Sequence, residues 1–223
     1  FLNALSLIPI LWAYHHIQVD SPSQVSSKKH PLEEIRLGLY IAKKNPIIRN
    51  NLLAAGVVSG LILNLGTYGP LFADRVLHSG VNGFGSILFA AGCGSMLSGI
   101  LSATAKKHLS QNKIDLAGIL CGIALMAVSY VSYFWPAMLL FGLMGFMVIL
   151  FIINCNTVIQ IAAPKEYLGR IMGLYTFVFL GVAPFGSLLV STLIEFFGTS
   201  QGLCITGALD ILLIGIIHNI GRR

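Results

Sequence analysis

Charge is what this sequence has least of. Asp, Glu, Lys and Arg together make up 10% of its 223 residues, whereas a soluble domain carries about 25%. So few charges cannot cover a water-facing surface. With 56% hydrophobic residues and a mean hydropathy of +0.83, lipid is the solvent for most of the chain. Catalytic signatures are missing too. There is no HExxH, no GxSxG, no phosphate-cradling GxxxxGK[ST], and no Asp/His cluster at ligand spacing. Nothing therefore sets a nucleophile against a base, and no enzyme activity, metal or cofactor is expected. The four cysteines, Cys93, Cys121, Cys155 and Cys204, lie in apolar runs without CxxC spacing. There they act as small hydrophobes rather than ligands or disulfide partners.

A transmembrane β-barrel would show alternating segments of about ten residues, and none are visible. The first apolar run lacks a basic leader and a small-residue cleavage site, which excludes a signal peptide. It opens on Phe1 and reads as the tail of a crossing that begins upstream, so the chain is expected to be a piece of a longer one.

What the sequence does have is a succession of apolar runs long enough to cross a bilayer, roughly 20 residues each. Backbone groups in lipid must be satisfied within each segment, so the runs are helices. Residues 1–17 read as the end of a crossing, with Trp12, Tyr14, His15 and His16 near the interface. Residues 18–49 form a linker: a Ser-rich stretch, then an amphipathic helix over 31–44 carrying Leu32, Ile35, Leu39 and Ala42 on one side. Pro31 suits its first position, Glu33 and Glu34 its positive end, and Lys43 and Lys44 its negative end; Asn45-Pro46 stops it. Six crossings follow within residues 50–223, at 50–72, 83–103, 114–132, 136–161, 171–196 and 202–220. The fold class expected is an all-α membrane bundle of six helices with a partial leading helix.

The basic residues sort by loop. Of 14 Lys and Arg, only Arg75 falls in one set of gaps; the rest, from Lys28 to Arg223, fall in the alternate set. Short loops on the cytoplasmic side retain such residues. This places the linker, the C-terminus and the hinge around Pro164, Lys165, Glu166, Gly169 and Arg170 in the cytoplasm. The charges are strung along successive loops and form no single patch with interleaved aromatics, so nucleic acid is not an expected partner; membrane lipid is. Small residues recur at four-residue spacing, at Gly56/Gly60, Ser95/Gly99, Gly118/Gly122 and Gly169/Gly173, where helices can approach closely.

Polar residues inside crossings are the candidate functional ones. Asp210 lies near the middle of its run, where a carboxylate costs about 2.5–3.5 kcal/mol on insertion scales and so needs a partner or a watery cavity. Asn64 and Tyr68, four residues apart, precede the expected Gly69-Pro70 break and suit a substrate path lined by discontinuous helix. Asn156 and Gln160 share a face near the cytoplasmic end, and Arg170 begins the next crossing, a set that could lock and release two helices. Gly181, Pro184 and Gly186 mark a kink that could act as a hinge. A transporter requires Asn64, Tyr68 and Asp210 to converge on one cavity shared with the missing half. A non-transporting scaffold or binding protein requires only scattered packing roles, and a membrane enzyme would need an acidic or histidine cluster.

The run Asn156-Thr157-x-x-Gln160, Pro164, Gly169-Arg170 and Gly173-Leu174-Tyr175 resembles the segment joining the tenth and eleventh crossings of major facilitator superfamily permeases. The branch of macrolide-efflux and siderophore-exporter permeases is the most similar. Asn45-Pro46…Arg49 and the small-residue run 181–186 are similar to that branch as well. The resemblance implies the C-terminal half of a two-half transporter, from late in the sixth crossing to the end of the twelfth. Two six-helix halves would rock about a central cavity, with a drug- or siderophore-like amphiphile exported against protons across a bacterial inner membrane. A missing N-terminal half and a small-molecule substrate are then the implied partners. The family's glycine/aspartate/arginine-rich loop and antiporter motif belong to that other half. Residues 105–113 are the equivalent loop here; they keep Lys106 and Lys107 but lack the acidic-plus-glycine pattern.

Overall fold

The computed structural model describes residues 31–105 and 110–221, with side chains from residue 36. The expected leading crossing, the Ser-rich linker, Lys106, Lys107 and the terminal Arg222-Arg223 lie outside the described residues. Among the described residues the secondary structure is helical throughout: α1 Pro31–Lys44, α2 Pro46–Leu61, α3 Leu65–Arg75, α4 Gly80–Thr104, α5 Gln111–Ser129, α6 Phe134–Ala162, a 3₁₀ turn Lys165–Tyr167, α7 Leu168–Phe197 and α8 Thr199–Gly221. They make six spans of membrane length, α2 and α3 together forming the first.

The spans alternate in direction, so one end of the bundle collects Lys43, Lys44, Arg49, Lys113, Lys165 and Arg170, and the other holds Asp74, Arg75 and His78. We refer to the former as the basic end. Between helices in lipid no hydrophobic force acts, and close backbone approach takes its place. Three crossings show it. A side chain at Gly186 of α7 would lie 1.8 Å from the Gly60 carbonyl of α2, one at Gly94 of α4 1.8 Å from the Gly142 carbonyl of α6, and one at Gly207 of α8 2.5 Å from the Gly122 carbonyl of α5. Of the four sequence-spaced pairs, Gly56/Gly60 and Gly118/Gly122 lie in helix contacts, whereas Gly99, Gly169 and Gly173 have nothing within 4 Å. The spacing shows that a helix can be approached, and the sequence of the facing helix decides whether it is.

Aromatic side chains fill the remaining core. Tyr68, Phe72, Phe141 and Phe151 are fully buried, and Phe72 meets Phe141 edge to face with ring centroids 5.5 Å apart. Outward, the apolar surface is large. Phe177, Phe185 and Phe196 on α7 and Phe89 on α4 are each at least 74% exposed, on the two spans least covered by the rest of the bundle.

Of the expected apolar stripe on the amphipathic helix, one described residue faces in and one faces out. Leu39 is 52% exposed and Ala42 is buried, and a side chain at Gly38 would begin 3.7 Å from the Arg170 carbonyl at the start of α7. Small residues, not the large apolar ones, make that contact. The next residue with a job is Asn45. Its side-chain oxygen caps α2 by accepting from the amides of Ile47 and Ile48. Its amide donates to the Ala162 carbonyl at the end of α6, at 3.4 Å.

Candidate functional site

The first span is broken, though not where Pro70 stands. Proline lacks an N–H and crowds the carbonyl four residues back, so the sequence points to a break at Gly69-Pro70. In the structure Pro70 lies inside α3 and the helix gives way a turn earlier, between Leu61 and Leu65. Gly66, the residue Pro70 crowds, has open space around it. There the amides of Ile62 and Leu63 both turn to the Val58 carbonyl, at 2.9 and 3.2 Å.

The break leaves carbonyls that no amide reaches, and the two polar side chains singled out in the sequence satisfy them. Tyr68 donates its hydroxyl to the Ile62 carbonyl at 2.9 Å, and Asn64 donates its amide to the Gly60 carbonyl. Both residues are buried. Tyr68→Phe is therefore expected to cost about 1–3 kcal/mol, the range for a buried acceptor left without its donor. The check is the denaturation midpoint of the detergent-solubilised protein. An unchanged midpoint would mean that Ile62 finds another donor.

Asp210 sits on α8 at 0% exposure, and among the described residues neither of its carboxylate oxygens has a hydrogen-bond partner. Oδ2 lies 2.8 Å from where a side chain at Gly122 would begin, and the Gly122 amide lies in the interior of α5, where helical bonding occupies it. Cys121 is the neighbour through which the two regions connect, within electrostatic reach of both Tyr68 and Asp210. Asn64, Tyr68 and Asp210 are each buried in the bundle, and none of the three lines a cavity described below.

At the basic end Gln160 donates its amide to Asn156, and Tyr175 of α7 comes beside Asn156. Arg170 places its guanidinium 5.6 Å from the Tyr167 ring centroid. Asn156 and Gln160 are therefore joined, on the helix that ends where α7 begins. The third expected group is split. Helix α7 runs unbroken through Pro184, Gly181 has no neighbour within 4 Å, and Gly186 is the contact glycine against Gly60.

A fourth polar group went unread in the sequence. His218 Nδ1 lies 2.7 Å from Asp115 Oδ2, and Gln111 donates to Asp115 Oδ1 at 2.8 Å. Asn51 donates in turn to Gln111 Oε1 at 2.8 Å. Residues 105–113 read as a loop in the sequence, which puts Asp115 at a water-facing end. Because α5 already starts at Gln111, Asp115 is carried inward and buried. The available signal was the i, i+4 pair Gln111/Asp115.

Between α4 and α6 runs an apolar groove of about 1420 Å³, lined by Phe89, Trp135, Met138 and Phe146, with Asn82 and Ser86 among its few polar groups. The remaining cysteines are free, and among the described residues no cluster of His, Cys, Asp or Glu could hold a metal.

Against this geometry, the sequence model of one family, transmembrane secretion effectors of the major facilitator superfamily, matches residues 1–222. The chain belongs to that family. No curated protein and no solved structure matches it. Family membership and six apolar spans together make this chain an integral membrane protein of a transporter family.

Proposed function

We propose that this secretion effector is a proton-coupled exporter of a small amphiphilic compound, drug- or siderophore-like, and that the six spans are the C-terminal half of a twelve-helix protein. The observation that carries the coupling is Asp210, a carboxyl group buried in a membrane helix with no hydrogen-bond partner among the described residues. A group in that setting is stable when protonated and costly when ionised, so it takes up a proton in one conformation and releases it when water or a cation reaches it. The amphiphilic substrate class is supported by the α4/α6 groove, whose wall is aromatic and apolar with a few polar groups, the usual make-up of a small-molecule site.

In this reading the break at residues 62–64, with Asn64 and Tyr68, gives the substrate path its yielding point. Asn156, Gln160 and Arg170 hold the basic end closed, and Gly181, Pro184 and Gly186 let α7 bend. In this reading the basic end and the C-terminus face the cytoplasm of a bacterial cell, and the sorting of lysine and arginine supports the cytoplasmic side. The test places the full-length protein in proteoliposomes with an imposed pH gradient and follows a panel of amphiphilic dyes, macrolides and iron chelators. At least one class should accumulate against its gradient and collapse with a protonophore. Binding without movement for every class would refute export.

A further inference from the structure

Helices α5 and α8 meet along one seam, and both carry acid on it. On α8, Asp210, Ile214 and His218 recur at four-residue steps and share a face. On α5, Asp115, Gly118 and Gly122, at steps of three and four residues, also share a face. Asp210 lies over Gly122, the Ile214 Cδ1 lies 3.6 Å from the Gly118 side-chain position, and His218 meets Asp115. Eight residues of helix rise about 12 Å, so two ionisable stations stand two turns apart with Ile214 between them.

The outer station differs from Asp210 in being fully bonded and in having access to a cavity. Asp115 accepts from Gln111 and pairs with His218. Asn51 bonds both Gln111 and the Ile47 carbonyl of its own helix, at 2.9 Å. The Cys155 thiol of α6 donates to the Asn51 carbonyl at 3.3 Å. A cavity of about 240 Å³ adjoins the pair, its walls including Asn50, Asn112, Asp115 and His218. The His218 side chain keeps 23% of its surface exposed. The other charged groups brought to this end are Lys43 and Lys44 of α1, Arg49 of α2, whose Nε donates to Asn50, Lys113 of α5, Lys165 and Glu166 of the 3₁₀ turn, and Arg170 of α7 over Tyr167. Among the described residues, Asp115 has hydrogen bonds to Gln111 and His218.

We propose that the Asp115–His218 pair is the site at which the transporter exchanges protons with water at its basic end, and that Gln111 and Asn51 pass its charge state to the first turns of α2. This rests on the proton-coupled reading above. A proton from cavity water adds to the free imidazole nitrogen of His218, leaving hydroxide to the bulk, and the imidazolium then faces ionised Asp115. The imidazolium draws the carboxylate charge toward Oδ2, away from the oxygen that accepts from Gln111. Oδ1 is then the weaker acceptor, and its bond from Gln111 is released. Through Gln111 the loss reaches Asn51 and the start of α2, the helix that breaks at residue 62.

The test is pH-step difference infrared spectroscopy of the full-length protein in lipid nanodiscs, with amide hydrogen exchange followed over residues 46–56. The step should produce imidazole and carboxylate bands that disappear in His218→Gln and Asp115→Asn respectively, and exchange in 46–56 should rise several-fold beyond its intrinsic pH dependence. Gln111→Ala should keep the bands and lose the exchange response, which separates exchange at the pair from its transmission. Should the aspartate variant fail to fold, the imidazole band of the parent and its loss in His218→Gln carry the result. Bands unchanged in both variants would overturn the proposal. If a carboxyl band lost in Asp210→Asn persisted in that case, proton coupling would stand without this site. If neither station gave a band, both readings would fall.

Discussion

Gly186→Ala should destabilise the bundle at the upper end of the roughly 1–3 kcal/mol seen for overpacking, or beyond it. The added carbon would lie 1.8 Å from the Gly60 carbonyl oxygen and 2.5 Å from the Gly60 Cα. Neither is the far end of a flexible side chain, so no rotamer change relieves the clash; α2 and α7 must separate. Separation forfeits contact along the whole seam, including the hydrogen bond from Ser59 Oγ to the Phe179 carbonyl, because van der Waals fit is what holds helices together in lipid. Gly181→Ala on the same helix is the control. Nothing lies within 4 Å of that position, and alanine favours helix over glycine by up to about 1 kcal/mol, so this variant should be neutral or slightly more stable. Thermal melting of the two variants in one detergent checks the difference. Equal melting points would show that the α2/α7 seam is looser than its geometry. Gly94→Ala tests the α4/α6 seam in the same way.

These glycines show how much of the molecule can be read from its sequence. Helix number and class are legible because lipid leaves the backbone no alternative, and apolar length reports them directly. The seams are legible only in part. Gly56, Gly60 and Gly122 fall in a spaced pattern, but Gly94, Gly142, Gly186 and Gly207 matter because of what faces them, which lies elsewhere in the chain. The break at 62–64 is not marked by Pro70, which the helix accommodates, and the residues that make a break tolerable, Asn64 and Tyr68, act on carbonyls several positions back. Those two and Asp210 stood out because polar groups inside a membrane demand an explanation. Asp115 and His218 did not, since each lies near a span end where charge is inexpensive, and only the fold brings 115 and 218 to 2.7 Å.

The second large effect is expected at Asp210. Asparagine keeps the shape of the side chain and cannot ionise, so Asp210→Asn should leave the α5/α8 seam intact while removing the proton it binds. Its neighbours cannot substitute: Gly122 and Gly207 are glycines at the closest approach of the two helices, and Ile214 separates Asp210 from the Asp115–His218 pair. Folding and membrane insertion should match the parent, while uphill accumulation of a compound that the parent transports falls to the level of empty liposomes. Downhill exchange of that compound should continue.

The measurement that bears most directly on proton-coupled export through this bundle is that comparison. Parent and Asp210→Asn protein are reconstituted side by side, with the same compound and the same imposed pH gradient. The account predicts accumulation that follows the gradient in the parent and is absent in the variant. Accumulation with an identical dependence on the gradient in both would contradict it.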